Sequence, residues 1–138
     1  MTSTGTFRYS PKLNGSLERR DGGSTKWWLV LDLDPELGRY FRHLHHLATY
    51  RTQKLQRPAW ETHISVIRDE EPLDEFKPLW DKYAGQEICF DYDMMNAGSN
   101  DIYVWLPVVC ETALDIRAEL GLPRDPIYPL HLTVGNFK

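Results

Sequence analysis

His63-Ile64-Ser65-Val66 is a four-residue motif that recurs 68 positions later as His131-Leu132-Thr133-Val134. Each copy reads histidine, aliphatic, hydroxyl, aliphatic. Because side chains alternate between the two faces of a β-strand, each copy would carry its histidine and hydroxyl on one face and its aliphatic residues on the other. Two such strands side by side would present two imidazoles and two hydroxyls across one cleft. That set of groups suits general acid–base chemistry on a phosphate ester.

Strand and helix signals surround both motifs. Alternating or β-branched runs predict strands, and apolar residues at helical spacing predict helices, with Asp34 as the cap and Pro35 in the first turn of the first helix. The predicted order is a strand at 26–34, a helix at 36–50, a motif strand at about 61–68, a helix at 73–84, a hairpin of 87–93 and 101–106, a helix at 108–120 and a motif strand at 130–137.

This order predicts one α+β domain spanning residues 1–138, with mixed or antiparallel sheets and helices on the outside. The first 25 residues are rich in glycine, serine and threonine, which predicts turns and at most a short hairpin near residues 6–9.

The paired motifs resemble those of the 2H phosphoesterases, a family named for two His-x-Thr/Ser motifs, and the resemblance covers most of the chain. It implies a two-lobed fold with a central cleft, and metal-independent chemistry on phosphodiesters next to a ribose hydroxyl, with no cofactor. The catalytic residues would be His63, Ser65, His131 and Thr133. Ser65 departs from the commoner threonine, keeping the hydroxyl donor but losing the methyl that restricts its rotamer.

Within the family, the compact length and the segments at 57–60 (Arg-Pro-Ala-Trp) and 68–72 (Arg-Asp-Glu-Glu-Pro) look most like small phage proteins that degrade cyclic oligonucleotide immune signals. This resemblance implies cleavage of the 3'-5' linkages of cyclic di- and trinucleotides, which would silence a bacterial CBASS defence. Two alternatives stay open. One is an enzyme that acts on RNA ends carrying a 2',3'-cyclic phosphate, and the other is a nucleotide-binding module without activity.

Aromatic and basic residues near the motif strands are candidates for substrate binding. Aromatic rings can stack on nucleobases, although packing in the core is the competing interpretation. The aromatic candidates are Trp60, Tyr103, Trp105 and Tyr128. The candidates for phosphate contacts, for which an ordinary surface role is the alternative, are Arg57, Arg68 and Lys138.

Charge and composition limit the classes of partner that we expect. A formal net charge of -4 argues against long contacts with duplex DNA, which depend on many lysines and arginines, but it allows a small anionic ligand in a local basic pocket. No apolar run is long enough for a membrane span, so no membrane partner is expected. The polar first residues lack a signal-peptide pattern, which predicts a cytoplasmic location, in the host cell if the protein is viral.

Two other features of the sequence, a group of three histidines and a pair of cysteines, are not interpreted as functional sites. His43, His45 and His46 are close together on the first predicted helix, but only His43 and His46 have a spacing suited to one metal ion, so a solvated helix face is the preferred interpretation. Cys89 and Cys110 are too few for a disulfide framework and are predicted to be reduced and buried.

Overall fold

The residues that the structure describes form seven strands and two α-helices. A computed structural model describes residues 1–12, 15–19, 22–58, 60 and 62–137. The strands are β1 (Thr2–Tyr9), β2 (Trp28–Asp32), β3 (His63–Arg68), β4 (Glu87–Tyr92), β5 (Gly98–Ser99), β6 (Tyr103–Val109) and β7 (His131–Asn136). The helices are α1 (Pro35–Ala48), α2 (Glu111–Glu119) and a short 3₁₀ helix (Asp74–Leu79). The predicted α+β class is confirmed.

All of the strand pairs are antiparallel, and the sheet order is β4-β1-β2-β3-β7-β6-β5. Strand β4 also pairs with β6, through Asp91 opposite Val109 and Tyr92 opposite Val108. Six strands therefore close into a barrel, and β5 extends β6. Apolar side chains of the strands and of both helices form one continuous core.

The two motif strands are neighbours at the centre of the sheet. Ile64 of β3 lies opposite Leu132 of β7, so the second residue of one motif faces the second residue of the other. These two side chains are buried, as are Val66 and Val134, the fourth residues of the motifs. The predicted burial of the aliphatic positions is confirmed, and a local two-fold relation connects the two copies.

Helix α1 begins as the sequence predicts. The Asp34 carboxylate accepts a hydrogen bond from the Glu36 N–H at 3.0 Å, and Pro35 occupies the first turn. Gly38 lets this helix approach the start of β3, because a Cβ at that position would lie 2.3 Å from the Thr62 hydroxyl oxygen. The glycine therefore brings α1 close to the first motif.

Three predicted elements differ from the structure. The helix expected at 73–84 is only the 3₁₀ helix with turns after it, because Pro78 cannot donate a backbone hydrogen bond. The helix expected from residue 108 begins at Glu111, since Val108 and Val109 complete β6. The expected hairpin of 87–93 with 101–106 is not formed, because Glu87 to Asp91 of β4 pair with β1 and β4 meets β6 only through Asp91 and Tyr92, opposite Val109 and Val108.

The N-terminal segment contains more strand than the short hairpin predicted near residues 6–9, because residues 2–9 form β1 between β2 and β4. Alternation within Thr2–Tyr9 places Phe7 in the core and threonines on the opposite face. The prediction that both cysteines are buried is wrong for Cys89, which is exposed opposite Thr4, whereas Cys110 is buried. No helix within the described ranges has both the length and the apolar character needed to cross a membrane.

Candidate active site

The polar residues of both motifs share the face of the sheet that lies opposite the core. With Ile64 facing Leu132 in antiparallel register, His63 comes beside Thr133, and Ser65 beside His131. All four side chains are partly buried. The sequence prediction that the two strands lie side by side is confirmed, and the pairing brings the four candidate catalytic residues together.

Both imidazoles are held through the same ring nitrogen. His63 Nδ1 lies 2.9 Å from the carbonyl oxygen of Trp60, and His131 Nδ1 lies 2.9 Å from the carbonyl oxygen of Pro129. Because a carbonyl oxygen can only accept a hydrogen bond, each Nδ1 must carry the proton. Each Nε2 is therefore the nitrogen that can exchange a proton with a ligand.

Burial lowers the pKa of His63 to about 4. The carbonyl of Trp60 and the carboxylate of Asp32 act in the opposite direction. The nearby imidazole of His131 and guanidinium of Arg68 lower this pKa further. Near neutral pH the His63 ring is therefore uncharged, with a lone pair on Nε2, which is the state that a general base requires.

The hydroxyl of Ser65 is oriented by a tryptophan. Trp28 Nε1–H donates a hydrogen bond to Ser65 Oγ at 3.0 Å. Indole can only donate, so the hydroxyl proton of Ser65 must point to another acceptor. The Trp28 ring also makes an edge contact with His63, at 5.6 Å between ring centroids. Trp28 therefore supports two of the four motif side chains.

A second chain of contacts links the His63 segment to β1 and β2. Trp60 Nε1–H donates to the Asp32 carboxylate at 2.9 Å, and the same carboxylate pairs with Arg8. The Arg8 guanidinium also lies 5.8 Å from the centre of the Trp60 ring. Trp60 therefore holds His63 through its backbone and is itself held through its side chain.

The basic candidates lie in different places. Arg68 lies beside the site, with its guanidinium 5.9 Å from the centre of the Trp28 ring. Arg57 is exposed, and its neighbour Gln56 bridges to Asn136 at the end of β7. Lys138 and the predicted strand start at Glu61 lie outside the described residues. Of the three basic candidates, Arg68 is the one that the described contacts place next to His63.

The remaining aromatic candidates also lie in different places relative to the motif strands. Trp105 lies opposite Thr133 and contacts the His131 ring at 6.3 Å between centroids. Its indole covers Gly98, where a Cβ would lie 2.5 Å from the ring. Tyr103 lies near the end of β7, opposite Asn136, and is exposed. Tyr128 is exposed in the loop before Pro129. Trp105 is therefore part of the site, and within the described residues the structure gives no contact between either tyrosine and a motif side chain.

Two of the three histidines of α1 contact Gln53. His45 Nε2 lies 2.9 Å from the side-chain oxygen of Gln53, and His46 Nδ1 lies 3.0 Å from the backbone carbonyl oxygen of the same residue. Within the described ranges, no group of three or more histidine, cysteine, aspartate or glutamate residues is placed to hold a metal ion.

Sequence reasoning missed the contributions of Trp28, Asp32 and Arg8. Alternation along β2 does place Trp28 and Asp32 on one face, and the preceding Trp27 packs on Trp80 instead. Alternation could not show that β2 lies next to the first motif strand. Comparison of the chain with protein-family models, with curated proteins and with solved structures finds no match.

Proposed function

We propose that this protein is a metal-independent phosphodiesterase that cleaves the 3'-5' linkages of cyclic di- and trinucleotides of the kind that bacteria use as immune signals. The observation that supports this most directly is the pair of imidazoles on adjacent strands, each anchored at Nδ1 by a backbone carbonyl. Two imidazoles held in this way, with a hydroxyl beside each, can supply the base, the acid and the hydrogen-bond donors of a phosphoryl transfer.

In the proposed reaction His63 is the base. Its Nε2 takes the proton from the 2'-hydroxyl of the ribose, and the 2'-oxygen then attacks the adjacent phosphorus. The bond from phosphorus to the 5'-oxygen breaks. The low pKa of His63 supports this assignment, because the ring is uncharged near neutral pH and can accept a proton.

His131 is the acid in this scheme. Its Nε2 gives a proton to the departing 5'-oxygen, so the products are a 2',3'-cyclic phosphate and a free 5'-hydroxyl. Ser65 and Thr133 donate hydrogen bonds to the non-bridging phosphate oxygens, where negative charge increases in the transition state. The Trp28 hydrogen bond to Ser65 favours this role, because it leaves the serine proton to be donated.

Membership of the 2H phosphoesterases, with their two-lobed fold around a central cleft, is part of the proposal. Its support is the local two-fold relation: Ile64 pairs with Leu132, and each motif histidine donates to a carbonyl a few residues before it. One lobe would contain β3 and its neighbours, and the other would contain β7 and its neighbours.

A small cyclic substrate is favoured over long RNA. The net charge is -4, and Arg8, a basic residue near His63, is already paired with Asp32. Extended nucleic acid relies on many phosphate contacts with lysine and arginine, whereas a cyclic dinucleotide has only two phosphates to be met.

The test is turnover in the presence of excess EDTA. Purified protein is incubated with cyclic di- and trinucleotides and, separately, with an RNA that ends in a 2',3'-cyclic phosphate, and the products are separated by chromatography. We expect cleavage of the cyclic nucleotides and a loss of roughly 10²- to 10⁴-fold in His63→Ala and His131→Ala, because each removes one proton-transfer group. His43→Ala is the matched control, since His43 is exposed on α1 and should leave turnover unchanged.

Each other result excludes part of the proposal. Opening of the RNA end without cleavage of the cyclic nucleotides would assign the protein to RNA processing. Binding of cyclic nucleotides without turnover would indicate the inactive nucleotide-binding module. Turnover that persists in either motif variant would contradict the acid–base assignment.

A further inference from the structure

A groove that none of the four motif side chains lines opens on the same face of the barrel. Its volume is about 770 Å³, within the range of ordinary small-molecule sites. The polar side chains along it come from β1, from the end of β2 and its continuation, and from the start of β4. The polar residues that line it are Ser3, Thr4, Thr6, Arg8, Asp32, Asp34 and Glu87.

The groove is continuous with the candidate active site. Glu87 lies opposite Thr6, Thr6 lies opposite Asp32, and Asp32 lies opposite His63. Residues opposite each other on neighbouring strands point to the same face, so these four side chains form one row. Thr6 is two strand spacings from His63, or roughly 10 Å. One ligand of dinucleotide size can therefore reach both places.

The charge of the groove argues against a second phosphate. Three carboxylates line it, those of Asp32, Asp34 and Glu87, against one guanidinium. That guanidinium, of Arg8, is paired with Asp32. A phosphate would be repelled by this surplus of negative charge, whereas the amino groups of a nucleobase would find acceptors.

We propose that this groove binds the base of a nucleoside attached to the scissile phosphate, by accepting hydrogen bonds from the amino groups of that base. The inference rests on the proposed function, because it treats the paired histidines as the place where the phosphate binds. In this proposal Thr6 and Glu87 contact the nucleoside, and neither residue contacts the reacting atoms.

The test uses two matched pairs of variants. Thr6→Val and Thr2→Val remove the same hydroxyl from the same face of β1, but only Thr6 lines the groove. Glu87→Gln and Asp91→Asn remove the same charge from the same face of β4, but only Glu87 lines the groove. The probe is a cyclic dinucleotide with 2'-O-methyl riboses, which lacks the attacking hydroxyl and so reports binding without turnover.

We expect the probe to shift the backbone amide NMR signals of Thr6 and Glu87. Each groove variant should weaken binding by roughly two- to tenfold, the usual effect of losing one hydrogen bond, and the two control variants should not. Inorganic phosphate should shift signals of the motif strands and leave those of the groove in place.

The two proposals can fail separately. Binding that perturbs only residues outside the groove, equal effects in groove and control variants, or no binding of the probe would overturn the nucleoside site. If the groove variants weaken binding while unmodified cyclic nucleotides are never cleaved, the nucleoside site stands and the catalytic proposal fails.

Discussion

Trp28 acts on the site through one N–H group. It is almost fully buried, donates to Ser65 Oγ and contacts the edge of His63. Replacing it by phenylalanine keeps most of the ring and removes the donor, so the serine hydroxyl could rotate away from the phosphate. We expect Trp28→Phe to lower kcat about two- to tenfold with little change in KM, the effect of one neutral hydrogen bond.

Trp27→Phe is the control for this prediction, because Trp27 is the next residue and packs against Trp80 away from the site. Steady-state kinetics of both variants on the same cyclic nucleotide would check it. Equal losses in the two variants would mean that the effect is one of general packing and would remove the positioning role of Trp28.

The pKa of His63 gives a second prediction at the level of single residues. The base must be unprotonated, and burial lowers the pKa of His63 to about 4, so His63 is in its basic form at pH values above that point. We expect kcat/KM to fall as the pH decreases through about 4, and not through 6.5, which is the ordinary histidine value. An NMR titration of the His63 ring should give the same midpoint, and a midpoint near 6.5 by both methods would contradict the assignment.

At the level of elements, one arginine of each α-helix donates a hydrogen bond to the last residue of a motif. Arg117 of α2 donates to the carbonyl of Val66 at 3.0 Å, and Arg42 of α1 donates to the carbonyl of Val134 at 3.1 Å. Val66 and Val134 are both the fourth residue of their motif. The two helices therefore hold the two motif strands in equivalent ways, which extends the local two-fold relation beyond the strands themselves.

The arginine of α2 also forms an ion pair with Glu70. Arg117 has no exposed surface, and its guanidinium makes two hydrogen bonds to the Glu70 carboxylate, at 2.7 and 2.8 Å. A buried charge without a partner would be strongly destabilising. The hydrogen bonds to Glu70 and to the Val66 carbonyl offset the cost of burying this guanidinium. The segment directly after the first motif is thereby fixed to α2.

The same elements show what could be predicted from the sequence. Alternation and capping are local, so the motif strands, their buried aliphatic face and the start of α1 at Asp34 and Pro35 were predictable. The contacts of Asp32 with Trp60 and of Trp28 with Ser65 depend on which strands pair. The sequence predicted only a short hairpin near residues 6–9, because glycine and threonine outnumber the apolar residues of β1; hydrogen bonding to two neighbouring strands extends it over Thr2–Tyr9 in spite of that composition.

At the level of the whole molecule, much of the positive charge is already neutralised. Of the 16 lysines and arginines, at least seven are in ion pairs with carboxylates. They are Arg8, Arg19, Arg39, Lys77, Lys82, Arg117 and Arg124. With a net charge of -4, such a surface attracts a long polyanion poorly.

Salt dependence turns this charge distribution into a prediction. Each phosphate neutralised on a single strand adds about 0.7 to the steepness of a plot of log affinity against log salt concentration. A cyclic dinucleotide with one or two phosphates in contact should therefore give a slope in log kcat/KM no steeper than about -1.5. RNAs of increasing length that end in a 2',3'-cyclic phosphate should gain nothing in kcat/KM. A slope of about -4 for such RNAs, with kcat/KM rising with length, would indicate an extended RNA-binding surface and would contradict the preference for a small cyclic substrate.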